Sequence, residues 1–192
     1  RSCHVEGDVV RFKKTQLGLI DVLLSQMPEA RFDQTIAKSR QRLKQFDGIK
    51  PRDPSEEFVG DLRPYQKQGL GWLHFLKDFG WGGCLADDMG LGKTIQVLSL
   101  LADAKQAGAT KPSLVVMPKS LIFNWMREAQ KFASKLRVLN YTGIERATLT
   151  ERIPQSDLVL TTYGTLRLDI DKLREEPFHY AILDEAQAAK NP

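Results

Sequence analysis

The 192-residue sequence has little cysteine: Cys3 and Cys84 stand far apart with no Cys-x-x-Cys spacing. That excludes a disulfide framework and a zinc ribbon and leads us to expect a reducing, cytosolic setting. No stretch approaches the roughly 20 apolar residues that a membrane helix needs, so no membrane partner is expected. The opening residues Arg1-Ser2-Cys3-His4 contain neither methionine nor an apolar run resembling a signal peptide, and the chain reads as a soluble part of a longer protein. Charge of one sign is not in excess. The 28 basic residues against 24 acidic ones permit a polyanionic partner without demanding one. Repeats and low-complexity tracts are absent too. What is present is a 42% hydrophobic chain, enough to bury the core of one domain with an accessory segment.

The sequence divides near residue 57. Residues 1–57 show helical patterns and no β-branched run long enough for a buried strand. Thr15 is placed to cap a helix with Leu17, Ile20, Leu23, Leu24 and Met27 on its apolar face and Pro28 just beyond. A second helix would follow Asp33, burying Phe32, Ile36, Leu43 and Phe46. Its basic residues, from Arg31 through Arg42 to Lys50, could meet phosphate but fit a solvated face better. Pro51-Arg52-Asp53-Pro54-Ser55-Glu56-Glu57 has the composition of a linker. Residues 58–192 alternate apolar runs with amphipathic stretches, as a parallel α/β sheet does. Strands are expected at Gly82 to Ala86, Ser113 to Met117, Arg137 to Tyr141, Asp157 to Thr161 and Tyr180 to Leu183.

After the first expected strand comes Asp87-Asp88-Met89-Gly90-Leu91-Gly92-Lys93-Thr94, followed by the apolar helical face of Ile95, Val97, Leu98, Leu100 and Leu101. Glycines let the backbone curl until successive N–H groups point at one anion, at the positive end of a helix dipole. Lys93 would then place a mobile positive charge on the β and γ phosphates, and the Thr94 hydroxyl would serve as a Mg2+ ligand. The strict phosphate-loop pattern has glycine where this chain has Asp87, so the match is to a variant. Ile95 stands where the third glycine of a dinucleotide loop would fall, which argues against a dinucleotide.

Near the other end, Tyr180-Ala181-Ile182-Leu183 reads as a buried strand delivering Asp184 and Glu185 to the carboxyl edge of the sheet, where open α/β sheets bind ligands. An aspartate there can hold Mg2+ and a glutamate beside it can orient the attacking water. Alone, such a pair is an ordinary strand end. With the loop some ninety residues upstream it becomes the second half of an ATP site.

Leu62-Arg63-Pro64-Tyr65-Gln66 with Gly69 and Trp72, then Asp87 to Thr94, then Asp184-Glu185-Ala186-Gln187, together resemble the Swi/Snf-like DNA translocases of helicase superfamily two. The resemblance runs from Leu62 to Pro192. It implies a three-layer RecA-like parallel sheet with helices on both faces, preceded by the short helical accessory segment. Asp87 to Thr94 looks like the family's own form of the loop, with Asp88, Met89, Gly90, Leu91, Gly92, Lys93 and Thr94 around the nucleotide. Gln66 matches the residue that reads adenine, with Arg63 nearby. Val116 to Leu121 with Asn124 and Trp125, and Leu160 to Leu166, match the family's DNA-facing segments, which implies DNA contacts at Lys119, Ser120, Trp125, Thr161 and Tyr163. Phosphate contacts of this kind carry no base information. Asp184-Glu185-Ala186-Gln187 looks like the prokaryotic form of its motif, so a cytoplasmic, nucleoid-associated protein is expected.

By the same resemblance the partners are duplex DNA and a second RecA-like lobe whose arginines complete the ATP site. An arginine finger contributes a factor of about 10³ or more in rate, so this segment alone should turn ATP over poorly. Two other readings stay open on sequence grounds. A phosphate-loop kinase or simple ATPase would share the loop and the acids, and a non-catalytic module would hold nucleotide only structurally.

Overall fold

In the computed structural model, residues 3–6, 9–12, 41 and 47–189 are described. They form two compact units: Arg1–Lys50 with Gly71–Leu85, and Pro51–Leu70 with Ala86–Pro192.

The first unit contains an antiparallel ribbon, β1 (Cys3–Glu6) and β2 (Val9–Phe12), in which Cys3 lies opposite Phe12. This adds a short ribbon to a segment expected to hold helical patterns and no buried strand. A two-stranded ribbon needs only four residues a side, and the Gly7-Asp8 pair between the strands has the composition of a two-residue hairpin turn. A search for long β-branched runs overlooks it. The two helices expected around Leu17 to Met27 and Phe32 to Phe46 lie outside the described residues, apart from Gln41, which is helical. Helix α1 (Pro64–Phe79) sends its second half into this unit. It ends where Gly80, at φ 63°, takes the left-handed conformation. Trp81 N–H then donates to Leu76 O and Gly80 N–H to Lys77 O, so the last carbonyls are not left unpaired. Phe75, Phe79 and Trp81 pack ring on ring, with centroids 4.8 to 5.8 Å apart. The strand expected at Gly82 to Ala86 is not formed, and the backbone from 81 to 88 is irregular. Gly82 and Gly83 bring no side chain to pack on a neighbouring strand, and strands without packing are weak.

The second unit is an α/β sheet. Helix α2 (Lys93–Gln106) leads to β3 (Ser113–Met117), and α3 (Ile122–Phe132) leads to β4 (Val138–Asn140). A 3₁₀ stretch (Ile144–Gln155) then precedes β5 (Leu158–Thr162), and α4 (Tyr163–Leu168) and α5 (Ile170–Leu173) precede β6 (Ala181–Leu183). The four strands are parallel in the order β4-β5-β3-β6, with Val115 paired to Leu160 on one side and Ile182 on the other. Four of the five expected strands are therefore present within a residue or two of their expected bounds.

Side chains alternate across the sheet. Leu114, Val116, Leu139, Tyr141 and Val159 form one buried face with Ile153 and Leu173, on which Leu149, Tyr163, Leu166 and Phe178 pack. Val115, Met117, Leu158 and Leu160, equally buried, point the other way. Helices α2 and α3 pack on each other and carry buried Leu98, Leu101, Trp125 and Ala129. The residues expected to be a linker are anchored here. Ser55 N–H donates to Asp103 Oδ1 at 2.7 Å, Arg52 lies 3.7 Å from the same carboxylate, and the Phe58 ring stacks on Phe132. At the amino edge of the sheet Asp157 accepts from Lys105 Nζ at 2.6 Å and from Arg137 at 2.8 to 3.1 Å. Burial alone would raise the Asp157 pKa, but the bonds from Arg137 and Lys105 outweigh it and hold the carboxyl at about 2.

Candidate nucleotide site and the edge that carries it

The Lys105 contact orients helix α2. Asp157 immediately precedes β5, so the end of α2 that holds Lys105 lies at the amino edge of the sheet. Lys93, at the start of the helix, is then roughly 18 Å away at 1.5 Å per residue, whereas a five-residue strand spans only about 13 to 17 Å. The N-terminus of α2 thus reaches the carboxyl edge. There the turns after β3, β4, β5 and β6 also emerge, because the strands are parallel.

The loop before α2 is largely held by itself and by nearby residues. Gly90 at φ 83° and Gly92 at φ 73° give the two left-handed steps that curl it. At Gly92 a Cβ would also lie 2.6 Å from Gln66 Nε2, so a side chain there would be strained in its backbone and would displace the Gln66 amide from Leu91 O. Lys93 Nζ donates to the carbonyls of Asp87 at 2.8 Å and Asp88 at 3.0 Å, which folds the ammonium back across the loop. Gln96, fully buried, donates from Nε2 to Asp87 Oδ2 at 3.0 Å. The aspartate that departs from the strict pattern is therefore a tether for the loop. Gln96 Oε1 has no hydrogen-bond partner and points at Gly69, where a Cβ would come within 1.8 Å of it.

The segment beginning α1 grips the loop from the other side. Tyr65 OH and Gln66 Nε2 both donate to Leu91 O at 3.1 Å, while Gln66 Oε1 accepts from Arg63 N–H at 2.9 Å. Gln66 is buried with both ends of its amide engaged, and Arg63 is exposed. Met89 is 89% exposed at the tip, next to exposed Asp88, and Thr94 is half-buried in the first turn of α2.

The acidic pair is held differently. Asp184 N–H donates to Val116 O at 2.8 Å, and Tyr163 OH donates to Asp184 O at 2.9 Å. Trp125 Nε1 donates to Asp184 Oδ2 at 2.8 Å, and Glu185 N–H to Asp184 Oδ1 at 3.0 Å. Glu185, at φ 50°, is the single non-glycine residue among the described residues in the left-handed region. Such strain costs about 1 kcal/mol or more and is found where a site demands it. The Gln187 amide donates to the Glu185 carboxylate. Burial raises the Tyr163 pKa, and the Asp184 and Glu185 charges raise it further.

Sequence reasoning placed three of these residues on DNA, and their geometry corrects it. Trp125 is 2% exposed with its indole N–H committed to Asp184, and Thr161 is fully buried with its hydroxyl donating to Tyr141 O at 2.9 Å. Tyr163 is half-buried with its hydroxyl on Asp184. Trp125 from helix α3, Thr161 from β5 and Tyr163 at the start of α4 thus spend their side-chain donors on partners inside the protein rather than on an outside phosphate. Lys119 and Ser120 are exposed in the 3₁₀ turn Lys119–Leu121 that follows β3. Tyr65 and Gln96 were missed. The one available signal was Gln96 itself, a polar residue on an otherwise apolar helical face.

A parallel α/β sheet whose carboxyl edge receives a Gly-x-Gly-Lys-Thr loop at a helix N-terminus, and an Asp-Glu pair from a neighbouring strand, defines a phosphate-loop nucleotide-binding lobe. Residues 65–192 match the SNF2-related domain, and the chain belongs to that family. It is 44% identical over 141 residues to YwqA of Bacillus subtilis, whose name describes an ATP-dependent helicase/translocase; the match covers 71% of this chain and 15% of that protein. It is 36% identical over 216 residues to human TATA-binding protein-associated factor 172, covering 97% of this chain and 12% of that one. Among solved structures, the Sulfolobus solfataricus SWI2/SNF2 ATPase core in complex with dsDNA superposes with a TM-score of 0.66 at 40% identity, over 77% of this chain and 30% of that chain. The chain thus spans less than a third of the length of these relatives.

Proposed function

We propose that this chain is the first lobe of an ATP-driven translocase on duplex DNA. The observation that carries the reading is the convergence on one sheet edge of the phosphate loop, the acidic pair and the exposed Lys119-Ser120 turn. ATP fits the loop: two left-handed glycines, a lysine ammonium within reach of the loop carbonyls and a helix N-terminus make an anion cradle. Thr94 and Asp184 would hold Mg2+, an ion that takes one or two carboxylates and completes its shell with phosphate and water. When bound, the ion neutralises charge on the phosphates. Lys93 would hold the β and γ phosphates, and Glu185 would orient the attacking water. Lys119 and Ser120 would contact the DNA backbone, in keeping with the dsDNA bound by the Sulfolobus core. A second lobe, as in the longer relatives, would supply the arginines that complete the site.

In the full-length protein, Lys93→Ala should lower DNA-stimulated ATP hydrolysis by about 10²-fold or more, the scale of losing one preorganised charge at a reacting phosphate. Unaltered turnover refutes the assignment. Stimulation by duplex DNA should also fade steeply with added salt, because backbone contacts release counterions. A phosphate-loop kinase would show no stimulation at any salt concentration.

A further inference from the structure

We infer that Trp125 is a positioning residue that links Asp184 to the Lys119–Leu121 turn, so that phosphate held at that turn is felt at the acidic pair. This rests on the function proposed above. The indole bond to Asp184 Oδ2, 2.8 Å long, comes from a side chain 2% exposed to solvent. With Asp184 itself half-buried, the bond is charge-assisted and its donor side is closed to water. It reaches the carboxylate from a different element, whereas the bond to Oδ1 comes from the adjacent residue, Glu185.

The other end of the link is structural continuity. The 3₁₀ turn carrying Lys119 and Ser120 runs without a break into α3: Leu121 and Ile122 both have right-handed helical angles, and Leu121 N–H closes the turn on Pro118 O at 3.0 Å. Trp125 follows in the first turn of α3, roughly 7 Å along the axis from Ser120. Ile122, Trp125 and Ala129 are buried along that helix, so the turn and the indole belong to one continuous, packed element. Lys119 and Ser120 are exposed at the same sheet edge as Asp184. A displacement of the turn when it takes a phosphate must carry the indole with it, and the indole sets one oxygen of Asp184. The arrangement gives the buried tryptophan a role at the nucleotide site that reaches DNA only through its helix.

The test uses the full-length protein, with ATP turnover measured with and without duplex DNA. Wild-type protein lacking any DNA stimulation overturns the proposed function and this link together. With stimulation present, Trp125→Phe, which keeps an aromatic ring and removes the N–H, isolates the link. DNA-stimulated kcat should fall about tenfold, the scale of one hydrogen bond to a charged group, and the ratio of stimulated to unstimulated rate should shrink. Affinity for duplex DNA should stay within about twofold, because Trp125 is buried. An unchanged ratio overturns the link while leaving the function standing. Should Trp125→Phe fail to fold, a second measurement decides. In a Trp72→Phe, Trp81→Phe background Trp125 is the remaining tryptophan of this segment, and a fluorescent analogue incorporated at that position reports on it alone in the full chain. Its emission should shift when duplex DNA is added, and adding Lys119→Ala should abolish the shift. No shift on DNA, or a shift that survives Lys119→Ala, overturns the link.

Discussion

The loop from Asp87 to Thr94 and the acidic pair at Asp184 and Glu185 share one sheet edge but depend on different kinds of support. The loop draws on its own carbonyls through Lys93, on Gln96 one turn into the following helix, and on Tyr65 and Gln66. Its shape is largely backbone shape, set by glycines. Asp184 depends on side chains from two distant elements, Trp125 of α3 and Tyr163 of α4. The curl of the loop comes from its own glycines and lysine, although Tyr65 and Gln66 brace it from the start of α1. An acid held by remote side chains is placed only once the sheet has assembled, so its geometry can respond to shifts in the elements around it.

Substitutions on either side separate the two modes of support. The largest effect should come from Gly92→Ala. A left-handed alanine costs about 1 to 2 kcal/mol, and the 2.6 Å approach to Gln66 Nε2 adds overpacking. A loss of about 3 kcal/mol in urea unfolding, with nucleotide binding lost in titration calorimetry, is expected. Gly69→Ala strikes the same loop indirectly, by pushing Gln96 off Asp87. It should cost about 2 kcal/mol by overpacking and weaken nucleotide binding without touching the nucleotide. If binding is unaffected, the Gln96 tether does not shape the loop.

Asp157, at the opposite edge, serves as a control. Its folded pKa of about 2 lies below the ordinary carboxylate value near 3.9. Its contribution is therefore fully present above about pH 4 and is lost as pH falls through about 2. After allowance for solvent screening it amounts to about 1 to 2 kcal/mol. Asp157→Asn should flatten that part of the acid-unfolding curve while leaving nucleotide affinity near neutral pH unchanged. The smallest effect should be that of Tyr163→Phe, which removes one hydrogen bond to the Asp184 carbonyl and costs about 1 kcal/mol. Its signature should be a change in DNA-stimulated kcat larger than any change in KM for ATP. A change in KM with kcat unaltered would mean that the far-reaching supports of Asp184 act on binding alone.

The parts of this protein that the sequence by itself determined are those governed by short-range rules. Leu114–Met117 and Leu158–Thr162 are uninterrupted apolar or β-branched runs with breakers nearby, so they were legible as strands. Gly90, Gly92, Lys93 and Thr94 were legible because backbone curvature and charge are properties of the segment itself. The ribbon at Cys3–Glu6 and Val9–Phe12 was missed because its stabilising partner is another strand, and a four-residue run says little alone. The strand expected at Gly82 to Ala86 erred in the opposite direction, since an apolar pattern does not supply a pairing partner.

Only the tertiary structure decided what Trp125, Thr161, Gln96 and Asp87 do. Each is a polar or amphipathic side chain whose role depends on which group it meets after burial, and buried hydrogen-bonding groups must find a partner wherever the fold provides one. Trp125 finds Asp184 across 59 residues of sequence and Thr161 finds the Tyr141 carbonyl across 20, distances over which no local pattern carries information. The loop was readable because its instructions lie within it. The supports of the acidic pair were not, because they exist only where the sheet brings separate strands and helices to one edge.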